Sequence, residues 1–560
     1  MIKKSIFLLA ALWSVYSFAQ TSVVDIPNIS AAVAANNVDV PKNLPAVVVE
    51  RGPYLQTGTP TSVIVKWRTD IATESVVNYG TLLGAMSKNV TSADLTTEHE
   101  VTLSGLTPNT KYYFNIGNRT EVLSESVTGD MYVITAPTPG TDQFVRAWII
   151  GDPGTGNTFQ RWVRDAYYNY VDTTATNPGK TDMMLFLGDN AYNTGKDSEY
   201  QNAFFDVYDD MFKKSVAWSC LGNHDGDSAD SDTQSGPYYD IFTFPTAGEA
   251  GGTPSGTEAY YSFDYANIHF IILDSHHTSR AVGGPMYNWA LTDIQNTAQD
   301  WIVTLFHHPA YSKGSHDSDV DHRPVEMREN FTPMLEANGV DLVLSGHSHS
   351  YERSYFLNGH QGLSNTFSLE EITNGGNTVG ANGKGDGKED GDGAYQKAST
   401  EPEGAVYITT GSAGQISGGD LNHQAMYISM NKLGSCVMEI DDDGNGGQNM
   451  VIKFIRETGE IDDYFTIHKT GVTFTDDTNE PKAEVGAESK KVLYVAGHDL
   501  LTITMDRNER LKKVKIYNNI GKLVKKSRKK TIDVSKMPKG MYAIEITTKN
   551  GTYIESVTIE

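Results

Sequence analysis

Met183-Met184-Leu185-Phe186-Leu187-Gly188-Asp189-Asn190-Ala191-Tyr192 is an apolar run that stops abruptly on a Gly-Asp pair. So short a run, without polar alternation, suits a strand buried on both faces, and its sharp end suits a loop at the strand's carboxyl edge. The pattern recurs. Ala147-Trp148-Ile149-Ile150 leads into Gly151-Asp152-Pro153-Gly154, Ile302-Val303-Thr304-Leu305 into Phe306-His307-His308-Pro309, and Asp341-Leu342-Val343-Leu344 into Gly346-His347-Ser348-His349. Gly222-Asn223-His224-Asp225 is a fifth segment of this kind. Helix-like stretches lie near Thr158–Val171, Asp197–Phe212, Met286–Asn296 and Val325–Ala337. Residues 143–470 are therefore expected to form an α/β layered domain, a β-sandwich flanked by helices, with functional loops gathered at strand ends.

The residue types in these segments select a chemistry. Any one segment could be a structural turn, since Gly-Asp and Gly-Asn are common turn pairs. Five after consecutive strands point instead to a hydrated dinuclear centre, with Asp, Asn and His as oxygen and nitrogen donors suited to iron, zinc or manganese. The absence of clustered cysteines argues against a thiolate site, and Cys220 and Cys436, the only cysteines, are too few for a disulfide scaffold. Whether these two pair is left open. The formal charge of −25 argues against nonspecific capture of nucleic acid, so a bound phosphate must be held locally, and metal ions could hold it.

Tyr192, three residues after Asp189, and the run Gly346-His347-Ser348-His349-Ser350-Tyr351-Glu352-Arg353 carry a closer resemblance. Over roughly residues 46–470 the chain resembles the metallophosphoesterases, and among them the purple acid phosphatases. The resemblance implies that Asp152, Asp189, Tyr192 and His349 bind a first metal, and that Asp189, Asn223, His307 and His347 bind a second, with Asp189 bridging. It implies Fe(III), coloured by the Tyr192 phenolate, beside Fe(II), Zn(II) or Mn(II). It also implies hydrolysis of phosphate monoesters of small molecules by a hydroxide held on the two metals, with His224 and His316 as catalytic residues. Asn223, His224 and His316 would face the substrate. His308 and His322 are at least as well explained as supporting or surface histidines, and Asp225 as a supporting carboxylate. Two alternatives stand beside this expectation. One is a phosphodiesterase or nucleotide pyrophosphatase, with the loops at 226–258 and 354–400 deciding access. The other is a non-catalytic surface binding protein.

The flanking regions read differently. Met1-Ile2-Lys3-Lys4, the apolar run to Val15 and Ser17-Phe18-Ala19 make residues 1–19 a secretory signal peptide, followed by a linker at 20–45. The apolar run is well short of the ~20 residues that span a bilayer, so no transmembrane segment is expected in the mature chain. Residues 46–138 show short strands and the turn Leu106-Thr107-Pro108-Asn109-Thr110, and resemble a fibronectin type III sandwich with Trp67 and Tyr112 in its core. The Gly/Asp-rich stretch 371–395 reads as an irregular insertion, and calcium binding by Asp386, Asp390 and Asp392 is a weak possibility to which no role is given. After a linker at 471–489, residues 490–560 are basic and carry Val514-Lys515-Ile516-Tyr517-Asn518 and Lys539-Gly540-Met541-Tyr542. They resemble the small all-β C-terminal sorting domain of type IX secretion, which implies the type IX machinery as a partner and a secreted or cell-surface location. Within that pattern the basic run Lys525 to Lys530 reads as a solvated hairpin rather than a nucleic-acid site. The oligomeric state is not legible.

Overall fold

The computed structural model describes residues 46–126, 128–369, 383–398, 404–442, 447–470, 492–495, 500–503, 511–518, 522–549 and 552–559. The expected signal peptide, both linkers and much of the Gly/Asp-rich insertion lie outside the described residues. Two compact units divide at Phe474 and Thr475. Among the described residues no helix is long and apolar enough to cross a membrane.

The first unit opens with six strands in one hydrogen-bonded sheet: β1 (Val49–Gln56), β2 (Ser62–Gly80), β3 (Lys88–Ser104), β4 (Lys111–Gly117), β5 (Val122–Ser124) and β6 (Tyr132–Ile134). Alternation along β2 sends Val63, Val65 and Trp67 inward, where they meet Val101 and Leu103 of β3. The Trp67 ring stacks on His99 with centroids 4.5 Å apart. Tyr112 is buried, and its hydroxyl accepts from the Thr107 amide at 3.0 Å, fixing the preceding turn. This sheet is clamped to the rest of the unit by Arg51 and Arg68, which pair with Asp197 at 3.0 and 2.6 Å.

The following strands build two seven-stranded sheets. One contains β7 (Val145–Ile150), β8 (Met183–Phe186) and β9 (Val216–Ser219), which run parallel. The other contains β10 (Tyr261–Tyr265), β11 (Ile268–Ile272), β12 (Trp301–Leu305), β13 (Leu342–Ser345), β14 (Tyr351–Leu357), β16 (Ala405–Thr410) and β17 (Met426–Met430), whereas β15 (Tyr395–Ala398) lies in the first. β18 (Gly434–Asp442), β19 (Gly447–Arg456) and β20 (Ile461–Thr470) return to the first sheet, whose order is β15-β20-β19-β18-β7-β8-β9; the second runs β10-β11-β12-β13-β16-β14-β17. In the second sheet, period-2 alternation splits each strand between two cores. Phe270, Ile272, Val303, Leu305, Leu342, Leu344, Val406 and Ile408 join the large core shared with the first sheet. Ile271, Ile302, Val343 and Tyr407 join a second core with Met286, Ala290, Met327, Phe331 and Leu335 from the covering helices. Strands buried on both faces are the reason the sequence shows unbroken apolar runs here.

Two expected helices are more broken than their patterns suggest. Asp197–Phe212 consists of α-helical Asp197–Tyr200, a π segment Gln201–Phe205 and α-helical Asp206–Phe212. Within the π segment the adjacent Ala203, Phe204 and Phe205 are all buried. The helix expected at Val325–Ala337 begins at His322, because Pro324 is tolerated in a first turn. It passes through a π segment at Met327–Phe331, just before Pro333, which has no amide to continue the α ladder. Cys220 and Cys436 are both buried and free, so the open question of their pairing resolves as no disulfide.

The second unit is all β. β21 (Val492–Val495), β22 (Leu500–Ile503) and β25 (Thr531–Asp533) form one sheet; β23 (Leu511–Asn518), β24 (Leu523–Ser527), β26 (Gly540–Thr548) and β27 (Thr552–Ile559) form another. Leu501, Val514, Ile516, Ile532, Val534, Ile544 and Ile546 make its core. Lys526 of β24 and Arg528, Lys529 and Lys530 of the β24–β25 connection are exposed.

Candidate metal centre

The carboxyl ends of five parallel strands deliver the predicted donors to one place: β7 leads to Asp152, β8 to Asp189, β9 to Asn223, β12 to His307 and β13 to His347. The chain turns sharply there. Asp152, Asp189 and His347 have φ of +53°, +53° and +65°, which non-glycine residues seldom adopt, and such strain clusters at functional positions. The preceding glycines make room. A Cβ on Gly222 would lie 2.1 Å from the Asp189 amide nitrogen, and one on Gly346 would lie 2.2 Å from Asp152 Oδ2.

The seven predicted donors converge. The Tyr192 hydroxyl is 3.3 Å from Asp152 Oδ1, 3.2 Å from Asp189 Oδ2 and 3.0 Å from His349 Nε2. His307 Nε2 is 3.0 Å from Asn223 Oδ1 and 3.5 Å from Asp189 Oδ1. Donor atoms of Asp152, Asp189 and His307 lie within 4.8 Å of one another, as do those of His307, His308 and His347. The His347 amide donates to both Asp152 oxygens, at 2.9 and 2.7 Å. His307 Nδ1 donates to the Leu187 carbonyl at 2.8 Å, and His349 Nδ1 meets the Ser417 hydroxyl at 2.9 Å. Such outer contacts leave each Nε2 facing the cluster, as ligating imidazoles require.

Electrostatics favour cations here. Burial opposes protonation of His307, yet Asp189 and Asp152 outweigh it and draw its pKa up to about 9. Burial, then Asp152 and Asp189, push the Tyr192 phenol well above its ordinary value, so a strong Lewis acid would be needed to make it a phenolate. Burial and the neighbouring His307 and His316 hold His347 well below 6.5, neutral and able to bind metal. Two carboxylates, a phenol, an amide oxygen and three imidazoles, with no Lys or Arg paired to Asp152 or Asp189 among the described residues, fit a site for two hard or borderline cations.

His224 and His316 stand at the mouth, their side chains 34% and 40% exposed. His224 Nδ1 is 2.6 Å from the Asn193 carbonyl, and its Nε2 is 4.0 Å from Asp189 Oδ2. The His316 ring stacks on His347 at 3.8 Å, and its Nδ1 is 3.5 Å from Asp321 Oδ2. Asp225 is buried and accepts from the amides of Asn190 and Gly222 and from the Tyr200 hydroxyl. Burial and Asp189 raise its pKa to about 6. His322 is exposed at the start of its helix. Asp386, of the weak calcium reading, accepts from the Lys388 and Asp392 amides.

Sequence reasoning undervalued three features. His308 is buried with its Nδ1 2.9 Å from the Ser275 hydroxyl and its ring 4.5 Å from His347. Asp321, the partner of His316, gave no local signal. The turn Asp274–Thr278 follows β11 as the ligand segments follow their strands, but the polar His269 within β11 hid the pattern.

Comparison with known proteins agrees with this geometry. Residues 145–351 match the calcineurin-like phosphoesterase family, residues 52–131 the purple acid phosphatase N-terminal domain, and residues 497–560 a secretion system C-terminal sorting domain. Purple acid phosphatase 1 of Ipomoea batatas is 28% identical over 373 residues, covering 60% of this chain and 72% of that protein. The Fe(3+)-Zn(2+) purple acid phosphatase 12 of Arabidopsis thaliana is 27% identical over 264 residues, covering 46% of this chain and only 52% of that protein. The structure of purple acid phosphatase PPD1 from yellow lupin seeds shares the fold, with a TM-score of 0.55, 17% identity and 75% coverage of each chain. The chain thus carries a calcineurin-like phosphoesterase domain preceded by a purple acid phosphatase N-terminal domain, which with its similarity to purple acid phosphatases indicates a metal-dependent phosphoesterase, and it carries a secretion system C-terminal sorting domain.

Proposed function

We propose that this protein is an exported acid phosphatase that hydrolyses phosphate monoesters of small molecules at a two-metal centre. The observation that carries this reading is the convergence of seven donors around two buried carboxylates that no Lys or Arg meets among the described residues. Asp152, Asp189, Tyr192 and His349 would hold Fe(III); Asp189, Asn223, His307 and His347 would hold Fe(II), Zn(II) or Mn(II). When bound, the pair would supply Lewis acidity toward the phosphoryl oxygens and an activated water.

The chain's own residues supply positioning and protons. His224, anchored through Nδ1 to Asn193, directs Nε2 to where a phosphoryl oxygen would sit. Asn223, one residue earlier, helps to place the same group. His316 carries the proton for the leaving alkoxide. Burial lowers its pKa while Asp321 opposes that loss, a balance that suits a proton donor working on the acid side of neutrality. His308 supports the His307 and His347 rings from behind. We read the N-terminal strands as fibronectin type III-like, supported by the Tyr112 contact to Thr107. Residues 1–19 would direct export, and residues 490–560 would engage the type IX machinery for release or surface display.

The test is a visible spectrum with metal analysis of the purified protein, followed by phosphate release from mono- and diesters. About two metals per chain, a broad visible band lost in Tyr192→Phe, and preference for monoesters are expected. Preference for diesters would replace the acid phosphatase with a phosphodiesterase. A metal-reloaded protein inert on every ester would leave a binding role.

A further inference from the structure

Beside the metal centre lies a patch of two arginines and two histidines, Arg280, Arg323, His276 and His277, that the proposed chemistry does not use. The turn after β11 is rigid: Asp274 accepts from the amides of His276, His277 and Thr278 and from the Thr278 hydroxyl, so its carboxylate is saturated. This turn packs on the one that carries Asn223 and His224. A Cβ on Gly226 would lie 2.4 Å from the His276 ring and 3.3 Å from the His277 ring. The His276 ring lies 5.8 Å from, and parallel to, that of His308 behind the metal ligands.

Arg323 reaches the same turn from the other wall of the mouth. Its Nε donates to the His276 carbonyl at 3.0 Å, and it sits two residues beyond Asp321, the partner of His316. Its neighbour Arg280 is committed, through Nε to Glu326 at 2.7 Å and through Nη1 to the His276 and Thr278 carbonyls. By contrast, no protein acceptor meets the terminal nitrogens of Arg323 among the described residues. Burial and then Arg280 lower its pKa, while Asp274 and Glu326 oppose the loss. In a chain with a formal charge of −25, such a patch also draws anionic substrates toward this mouth.

We propose that Arg323, with His277, forms a second anion subsite between His224 and His316, which takes a phosphate carried by the substrate in addition to the scissile one. The favoured substrates are then small molecules bearing two phosphates. Arg323 presents the planar fork that suits a phosphate from the helix His322–Glu326, held by its Nε against the turn that Asp274 makes rigid. This deepens the phosphatase reading and rests on it.

The test uses the metal-loaded full chain with fructose 6-phosphate and fructose 1,6-bisphosphate. In the native protein kcat/KM should favour the bisphosphate. Arg323→Gln should lower that preference about tenfold, mainly through KM, as loss of a charge-assisted contact implies, and Arg323→Lys should keep part of it. Loss of the same factor on both substrates, or no change in the ratio, overturns the subsite. Calorimetric binding of methylenediphosphonate and of inorganic phosphate reads the subsite without turnover. Arg323→Gln should weaken the diphosphonate about tenfold more than phosphate, and equal weakening overturns the proposal. If the native protein turns over neither ester, the phosphatase reading fails on that result, while the binding measurement still decides the subsite.

Discussion

Asp341 and Asp189 are both buried carboxylates at strand ends of the same unit, but at opposite ends. Asp341 precedes β13 and meets Lys397 of β15 at 2.9 Å and Lys469 of β20 at 2.7 Å, with the Ile302 amide at 2.8 Å. Because β13 lies in one seven-stranded sheet and β15 and β20 in the other, this cluster ties the two sheets together. Asp189 follows β8 and meets a phenol, an amide and an imidazole, with Asp152 sharing the phenol. Two lysines balance the charge at the first cluster, whereas no Lys or Arg among the described residues meets Asp189 or Asp152 at the second, where histidines face the carboxylates. A buried charge left alone is costly. The lysine-neutralised cluster therefore fits a structural role, and the one that lacks lysine and arginine fits the proposed metal site.

The sharpest break of this comparison is Asp189→Ala. It should lower phosphate release by about a thousandfold or more and reduce metal content below two per chain, because both ions are proposed to share this carboxylate. Unchanged metal content would remove Asp189 from the bridging position. At the other cluster, Lys397→Met should cost about 3–5 kcal/mol in urea unfolding by stranding buried charge, while leaving the metal content of the folded protein intact. A loss of metal with little loss of stability would show that the two clusters are not separate in role.

Chelation should act on the Asp189 cluster alone. Stripping metals held at a thousand times their dissociation constant should lower unfolding free energy by about 4 kcal/mol, restored by adding metal back. A melting temperature indifferent to metal would contradict cation demand at that site.

A smaller effect comes from His269, a third buried group, held between Asp264 at 2.7 Å and Asp293 at 2.9 Å. Burial opposes its charge, but the two carboxylates win and raise its pKa from 6.5 to about 9. A raised folded-state value means that its stabilisation is fully present below pH 6.5 and is lost as pH rises through about 9. The shift bounds the effect at about 3 kcal/mol, read by comparing urea unfolding at pH 6 and pH 10 in the native protein and His269→Gln. A slope between these pH values that is the same in both proteins would assign it elsewhere.

How far the sequence carried depended on whether a feature is local. The ligand segments were legible because each is a short apolar strand ending on a donor, in four of the five after a Gly, and sterics force a glycine where the loops touch, as at Gly222 against Asp189. Trp67 and Tyr112 were legible as core because alternation marks the inward face. The π segments were not, since they answer to where Phe204, Phe205 and Pro333 fall against neighbouring elements. Cys220 and Cys436 were undecidable by count and proved to be unpaired.

The sequence by itself determined the strands, the donor types and the order in which they arrive, because these depend on residues close in the chain. Only the tertiary structure decided which polar groups share a neighbourhood: Asp321 beside His316, His308 behind the ligands, Arg323 against the His276 turn, and two lysines on Asp341 but none on Asp189. Charge compensation is settled between residues as far apart as Asp341 and Lys469, and no local pattern records it, because electrostatic energy depends on distance in space and on burial rather than on separation along the chain.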